Sequence, residues 1–362
     1  MIMPSAPANN GGTYMSALNY ATEYLRELAQ AYPYVLYFNQ LRSVENDRRF
    51  QWVDAKTIKI QHVDTTGRVD ADRDTIALAQ RNYENSWETK TLEHFRKWST
   101  LVHPMDIQES RIQTIGKITD SYNQFQKFPE MDAYLISRLY YRYTTAIQAE
   151  DFDGGVVDGT AVTSSNVIDI FDQMQLNMNN ARVPLTGRIL YVTYEVLQLM
   201  ENTSRWERHI NIQQNSGRIS RGLVNLDGVE IIPVPQELMQ TLFDFTVGWK
   251  NVAMAKNIKM FMVHPSAIIT PERYEAVRLD PPSAMSENKW NYYEESYDDA
   301  FILNRRVGAL QFNATTPTFA EISSPTGNPS KQGYCEAAGT GSYKYSEDTT
   351  VDGTKTYYSR TA

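Results

Sequence analysis

Residues 129–149 read PEMDAYLISRLYYRYTTAIQA, and the remaining segments are best understood around them. Met131, Leu135, Leu139, Tyr143 and Ile147 recur every four residues. Ile136 and Tyr140 widen that stripe to the breadth a helix needs against a sheet or a loop layer. Pro129 suits the first helical position, where its missing N–H costs nothing. Glu130 and Asp132 sit in the first turn, which the positive end of the helix dipole favours. Arg138, Tyr141 and Arg142 fall mostly outside the stripe. No Gly or Pro follows until Asp151-Phe-Asp-Gly-Gly155, so the spacing predicts one helix of roughly 30 Å. A core helix of any α/β domain would carry the same stripe, and the flanking segments separate the possibilities.

Upstream, Lys56–Val63 alternates, with Ile58 and Ile60 on one face and Lys59 and Gln61 on the other, which is a strand pattern. Asp64-Thr-Thr-Gly67 is a turn and the charged residues 68–80 a loop. Tyr83, Trp87 and Thr89 then alternate against Glu84, Glu88 and Lys90, as a returning strand would. Together, 50–91 reads as a long two-stranded excursion. Such a ribbon is marginally stable alone and calls for a surface outside itself, most naturally a neighbouring copy. The candidates for that contact are Lys56, Lys59, Gln61, Arg68, Arg73, Tyr83 and Trp87. Residues 1–14 are small and polar and read as an extended arm. Leu18, Ala21, Leu25, Leu28 and Ala29 predict a short amphipathic helix ending before Pro33. Residues 34–48 lack a period and read as an arm lying across other surfaces. Thr91–Ser110 leads into a helical region at about 106–126.

Downstream, Asp151–Gly159 is a flexible break. Val167–Asn179 places Ile168, Phe171, Met174 and Met178 on one helical face. Arg188–Val192 predicts a buried strand, followed by a helix at about 194–203 that Thr193 caps. Residues 205–235 alternate and turn, with a turn at Asn225-Leu-Asp-Gly228 and a strand at Val229–Val234. Ile258–Val263 is an apolar strand that His264-Pro-Ser266 ends. AFILN and GALQF, around Arg305-Arg306-Val307-Gly308, predict a last strand pair. After Thr316 the composition shifts, with a linker at Pro325–Pro329. Tyr343–Tyr345 and Thr354–Tyr358 then flank Val351-Asp-Gly353, a hairpin signal. Alternating Thr and Tyr predict a small, outward β appendage there.

The 362-residue chain carries a formal charge of -8 and a pI near 5.3, which argues against coating itself with nucleic acid. Its 23 tyrosines suit surfaces buried in an assembly that keep a polar tip. Cys335 is the one cysteine, so no intrachain disulfide forms. The N-terminus has no basic or apolar region of a signal peptide, and no apolar run approaches the roughly 20 residues of a bilayer span. Asn202 and Asn313 match the glycosylation pattern but mean little without a secretion signal.

The sequence carries no recognisable catalytic or ligand-binding constellation. His62, His94, His103, His209 and His264 are scattered and form no metal-binding spacing. Asp151-Phe-Asp-Gly154 resembles the start of an EF-hand loop, but its Gly comes early and the later Glu is missing. Glu294, Glu295, Asp298 and Asp299 read as a strand-edge charge cluster, with a cation at a subunit junction as the alternative. No nucleophile elbow, Walker or dinucleotide fingerprint appears. No catalytic, metal or cofactor-binding residue and no cofactor is expected, so an enzyme is not.

Four stretches together resemble the tailed-phage major capsid proteins of the Hong Kong 97 type. They are Pro129–Tyr134, Ile258–Pro265 (IKMFMVHP), Ala267–Pro282 (AIITPERYEAVRLDPP) and Tyr297–Leu303. Trp87–Arg96 with Met105-Asp106 resembles the segment before that family's spine helix. The resemblance covers about residues 45–315 and rests on the series, since no single motif in it is catalytic. It implies an α+β fold: an N-terminal arm (1–45), an extension loop over an adjacent subunit (46–90), and a peripheral domain (91–154) with its spine helix at 129–149. An axial domain (155–295) would meet others at five-fold and six-fold centres. The chain would return to the peripheral domain at 296–315, and the appendage (316–362) matches no part of the family core.

The implied function is a self-assembling icosahedral shell of hexamers and pentamers around double-stranded DNA. The implied place is the virion, after assembly in the host cytoplasm. Implied partners are the chain itself, a portal, a packaging motor, DNA held without sequence-specific contacts, and no membrane. The arm begins within a few residues of Met1, which implies a separate scaffold protein or none. Some members crosslink subunits through Lys and Asn; nothing pairs Lys56 or Lys59 with a particular Asn, so they read as surface lysines. The alternative is an encapsulin-like nanocompartment shell, which shares the fold and holds enzymes in place of a genome.

Overall fold

A computed structural model describes residues 34–43, 47–68, 82–105, 115–148, 157–202, 211–212, 219–220, 225–252, 255–315, 319–322, 332–338, 342–346 and 357–360. The expected arm and helix before residue 34, Arg73 and its loop, residues 106–114, the break before Val157 and His209 lie outside the described residues.

In chain order the strands are β1 (Gln51–Trp52), β2 (Thr57–Thr65), β3 (Tyr83–Thr91), β4 (His94–Val102), β5 (Val157–Asp158) and β6 (Ile189–Thr193). There follow β7 (Asn211–Ile212), β8 (Ile219–Ser220), β9 (Asn225–Leu226), β10 (Val229–Val234), β11 (Phe243–Asp244), β12 (Lys250–Asn251) and β13 (Asn257–Val263). Next come β14 (Ile268–Ile269), β15 (Glu272–Asp280), β16 (Trp290–Asp298), β17 (Phe301–Ile302) and β18 (Leu310–Thr315). The last four are β19 (Phe319–Ile322), β20 (Gln332–Ala338), β21 (Ser342–Ser346) and β22 (Tyr357–Arg360). The helices are α1 (Ile115–Tyr122), α2 (Phe128–Gln148), α3 (Val167–Asn180) and α4 (Tyr194–Asn202).

The chain divides into two compact units. The described part of one is 97–105, 115–125 and 276–295, together with Tyr34. There Trp98 stacks on Tyr122 at 3.9 Å and tilts against Tyr292 at 5.5 Å. The other unit holds the remaining described residues and is built on a six-stranded sheet of order β5-β18-β13-β6-β10-β9. β10 runs parallel to β6, and β13 is antiparallel to both β6 and β18. The central strands ILYVT and NIKMFMV are apolar on both faces because both faces are covered.

One row of that sheet is aromatic. Tyr191, Phe261 and Phe312 lie in register on β6, β13 and β18. Phe261 stacks on Phe312 at 4.3 Å. Phe38 closes the row at Tyr191, 4.8 Å away, and Tyr140 and Tyr143 of α2 close it at Phe312, 5.4 and 5.1 Å away. The next row, Leu190–Met262–Gln311, points to the opposite face. There Asn177 of α3 donates to Gln311 at 3.2 Å. The sheet is thus packed between α2 and α3.

The long helix forms where the stripe predicts it, with Ala133, Leu135, Ile136, Leu139 and Tyr143 buried. Pro129 is not its first helical residue, however. The helical chain continues from α1 through a five-residue π segment, Asn123–Lys127, into α2. Pro129 has no N–H to return to the carbonyl four residues back, and a widened π turn accommodates that missing bond. Asp132 is fully buried and accepts from the Tyr37 backbone N–H at 2.9 Å. Through this contact and the buried Phe38, residues 35–43 lie on their own chain.

α3 and α4 stand as the periodicity predicts, although α3 turns Val167 and Ile170 inward and leaves Ile168 half-buried. Thr193 Oγ1 accepts from Val196 N at 3.4 Å, the expected cap. Asp227 and Gly228 both take positive φ, 50° and 80°, in the tight turn between β9 and β10. His264 ends β13 and accepts from Ser266 N.

Three expectations need correction. AFILN and GALQF do not pair with each other: β17 pairs with β14, while β18 lies between β13 and β5. The 3₁₀ segment Asn304–Ala309 between them redirects the chain. Residues 94–102 form a strand and not only the approach to a helix. In the appendage, β20 lies between β21 and β22, so the segments around Tyr345 and Tyr357 are not each other's hairpin partners. The four-stranded sheet β19-β22-β20-β21 itself forms as the alternation predicts.

Candidate assembly interface

β2 and β3 pair over nine positions, from Thr57↔Thr91 to Thr65↔Tyr83, and β1 joins along β2. The root is apolar: Ile58 and Ile60 are buried with Phe50, Leu92, Ile269 and Phe301. On the same face Lys90 lies opposite Ile58 and Glu88 opposite Ile60, and beyond them come His62, Ser86, Asp64 and Glu84. The half-buried positions of β3, Glu88 and Lys90, are therefore charged ones. Glu88 accepts from Asn304 Nδ2 at 3.1 Å, lies 3.0 Å from His62 Nε2, and pairs with Lys90. Burial pushes the Glu88 carboxyl up, but the hydrogen bonds from Lys90 and His62 outweigh it and hold its pKa below the usual value.

The opposite face of the ribbon holds Lys59, Gln61, Val63, Thr65, Tyr83, Asn85, Trp87 and Thr89. Val63, Tyr83 and Trp87 are 46, 56 and 43 % exposed. Gln61 donates to Asn85 at 3.0 Å. Four of the seven sequence candidates, Lys59, Gln61, Tyr83 and Trp87, thus share one face because their positions keep a single parity across the pair. Lys56 sits in the exposed bend before β2, and Arg68 is exposed beyond its end.

Behind the ribbon root lies a cleft of about 600 Å³, bordered by Glu88, Glu93, Arg138, Tyr141, Arg142 and Asn304. Two of its lining residues, Arg138 and Arg142, are held by Asp299, whose side chain is fully buried. Tyr134, Arg138 and Arg142, spaced by four on α2, all reach it: Tyr134 Oη at 3.3 Å, Arg138 Nε at 3.3 Å and Arg142 Nη2 at 3.0 Å. The backbone N–H groups of Glu93 and Ala300 donate to the same carboxylate. Arg142 lies 3.9 Å from the Phe301 ring centroid. Burial pushes the Arg142 guanidinium down and the Tyr134 hydroxyl up.

Within the chain each carboxylate of the acidic run has its own partner, Asp299 the arginines just described. Asp298 lies 2.6 Å from His94 Nδ1, Glu294 accepts from Tyr292 at 2.8 Å, and Glu295 accepts from Tyr293. Lys90, Arg138 and Arg142 are likewise each matched to a carboxylate. Among the described residues, no three His, Cys, Asp or Glu side chains are grouped to hold a metal, and no helix is long and apolar enough to cross a membrane.

No protein-family model matches the chain, and no curated protein resembles it in sequence. Solved structures do resemble it. The mature capsid of bacteriophage PhiM1 aligns over 87 % of this chain and 92 % of its own, at 14 % identity and a TM-score of 0.55. The capsid of cyanophage P-SCSP1u aligns over 79 % and 90 %, at 12 % identity and a TM-score of 0.56. The head of Helicobacter pylori bacteriophage KHP40 aligns over 79 % and 92 %, at 10 % identity and a TM-score of 0.50. The chain has the α+β fold of these tailed-phage capsid subunits, the Hong Kong 97 type.

Proposed function

We propose that this chain is the major capsid protein of a tailed phage, which assembles with itself into the icosahedral shell around double-stranded DNA. The carrying observation is the ribbon: its root is buried in its own chain while its outer face, with Val63, Tyr83 and Trp87, is exposed. A soluble monomer gains nothing from two exposed aromatics and a valine on one face of its ribbon, whereas a neighbouring copy would bury them. The fold shared with phage capsids supports the same reading.

In this reading residues 46–90 are the extension loop, α2 is the spine helix of the peripheral domain, and the axial domain spans about 155–295. The shell forms from pentamers and hexamers through many modest interfaces. It is a structural protein and not an enzyme, resident in the virion capsid after assembly in the host cytoplasm. A portal and a packaging motor act with it. Its charge of -8 suits a shell that encloses DNA without gripping it.

Electron microscopy of the purified protein tests the proposal. Closed shells are expected, and DNA in particles from infected cells separates a virus from an enzyme-filled compartment. Replacing both Tyr83 and Trp87 by Ser should leave the subunit's unfolding free energy within about 0.5 kcal/mol of wild type, because both are exposed. The same variant should fail to form closed shells. Normal shells from it would refute the role of this face.

A further inference from the structure

We propose that Asn304 and Arg305 latch the ribbon to its own body at two points, and that the outer point opens first. At the inner point Asn304 donates to both Glu88 oxygens, at 3.2 and 3.1 Å, while His62 and Lys90 hold the same carboxylate. At the outer point Arg305 pairs with Asp64 and donates to the Val63 carbonyl at 3.3 Å. Adjacent residues of one 3₁₀ segment thus grip the ribbon at two separated levels.

The two points differ in enclosure. The Glu88 side chain is 27 % exposed, whereas Arg305 and Asp64 are 62 and 55 % exposed. An exposed ion pair in water contributes little and is screened by salt, and a partly enclosed, multiply bonded carboxylate is screened less. The apolar root ends at Ile60. Beyond it the direction of a two-stranded ribbon depends on polar contacts alone. With the outer grip released, the segment past His62 and Ser86 swings about the Glu88–Asn304 contact. If the chain is a shell subunit as proposed above, the latch holds the aromatic face in one pose until a neighbouring copy competes for it.

The test is a distance measurement between nitroxide labels at Glu84→Cys near the ribbon tip and Gln173→Cys on α3, in a Cys335→Ser background. The full chain is kept dilute and unassembled, so the result does not depend on shell formation. At low salt the wild-type latch should give a narrow distance distribution. Arg305→Ala, or about 1 M salt on the unaltered latch, where the Debye length is about 3 Å, should broaden it to about twice that width. Glu88→Gln combined with Asn304→Ala should also shift its mean. A broad distribution with the latch intact at low salt, or an unchanged one in Arg305→Ala and in high salt, overturns the proposal. The salt arm needs no latch substitution, so a misfolded variant cannot obscure the outcome.

Discussion

Asp299 gathers five donors: the side chains of Tyr134, Arg138 and Arg142 and the backbone N–H groups of Glu93 and Ala300. Replacing it by Ala leaves two enclosed guanidinium groups without their shared counter-charge. Chemical denaturation should report a loss of roughly 3–5 kcal/mol, the cost of breaking a buried pair by removing one partner. Glu88 supplies a pH prediction. Its folded pKa is depressed, so its stabilising contribution is present above the unfolded value and is lost as pH falls through the folded one. The groups facing it are His62, Lys90 and Asn304, with Glu93, Arg138 and Arg142 across the cleft. Amide exchange in 86–90, corrected for intrinsic rates, should therefore quicken as pH falls below the ordinary glutamate range. Glu88→Gln should remove that dependence. The face-sharing of Lys59, Gln61, Tyr83 and Trp87 could be read from parity alone. Asp299 could not, because its partner Arg142 lies 157 residues away and nothing local distinguishes it from the three acids beside it.

Among the elements, α2, α3, β6, β10 and β13 were legible because burial on one or both faces leaves a regular apolar period. β15 and β16 were not. Val277, Arg278, Leu279 and Asp280 are all exposed, so polar and apolar residues do not sort by face. The first turn of α2 misled for a related reason. Pro129 is as compatible with a π-to-α junction as with a helix start, and only the chain before it decides. The aromatic row gives this scale its prediction. Phe312 meets Phe261, Tyr140 and Tyr143, so Phe312→Ala should cost about 3–5 kcal/mol in denaturant unfolding. Phe95, 43 % exposed and stacked on Tyr297, should tolerate Ala with under about 1.5 kcal/mol lost.

For the molecule as a whole, the appendage and the core make separable demands. Among the described residues, β19, β20, β21 and β22 pair only with one another. Deleting 317–362 should therefore leave the unfolding free energy of the core within about 1 kcal/mol of the full chain. It should also leave assembly intact, with particle yield by sedimentation as the readout. Loss of particles would place the appendage inside an interface.

The strand order of the main sheet also constrains how the chain is made. β18, which ends at Thr315, sits between β5 and β13, so the sheet cannot close until that strand has left the ribosome. Its mates come from segments emerging far earlier, and those segments must wait with greasy surfaces uncovered. A nascent chain stalled before Leu310 is thus a client for holding chaperones. Refolding from denaturant should be slow and prone to precipitation at high concentration, whatever the finished fold's stability.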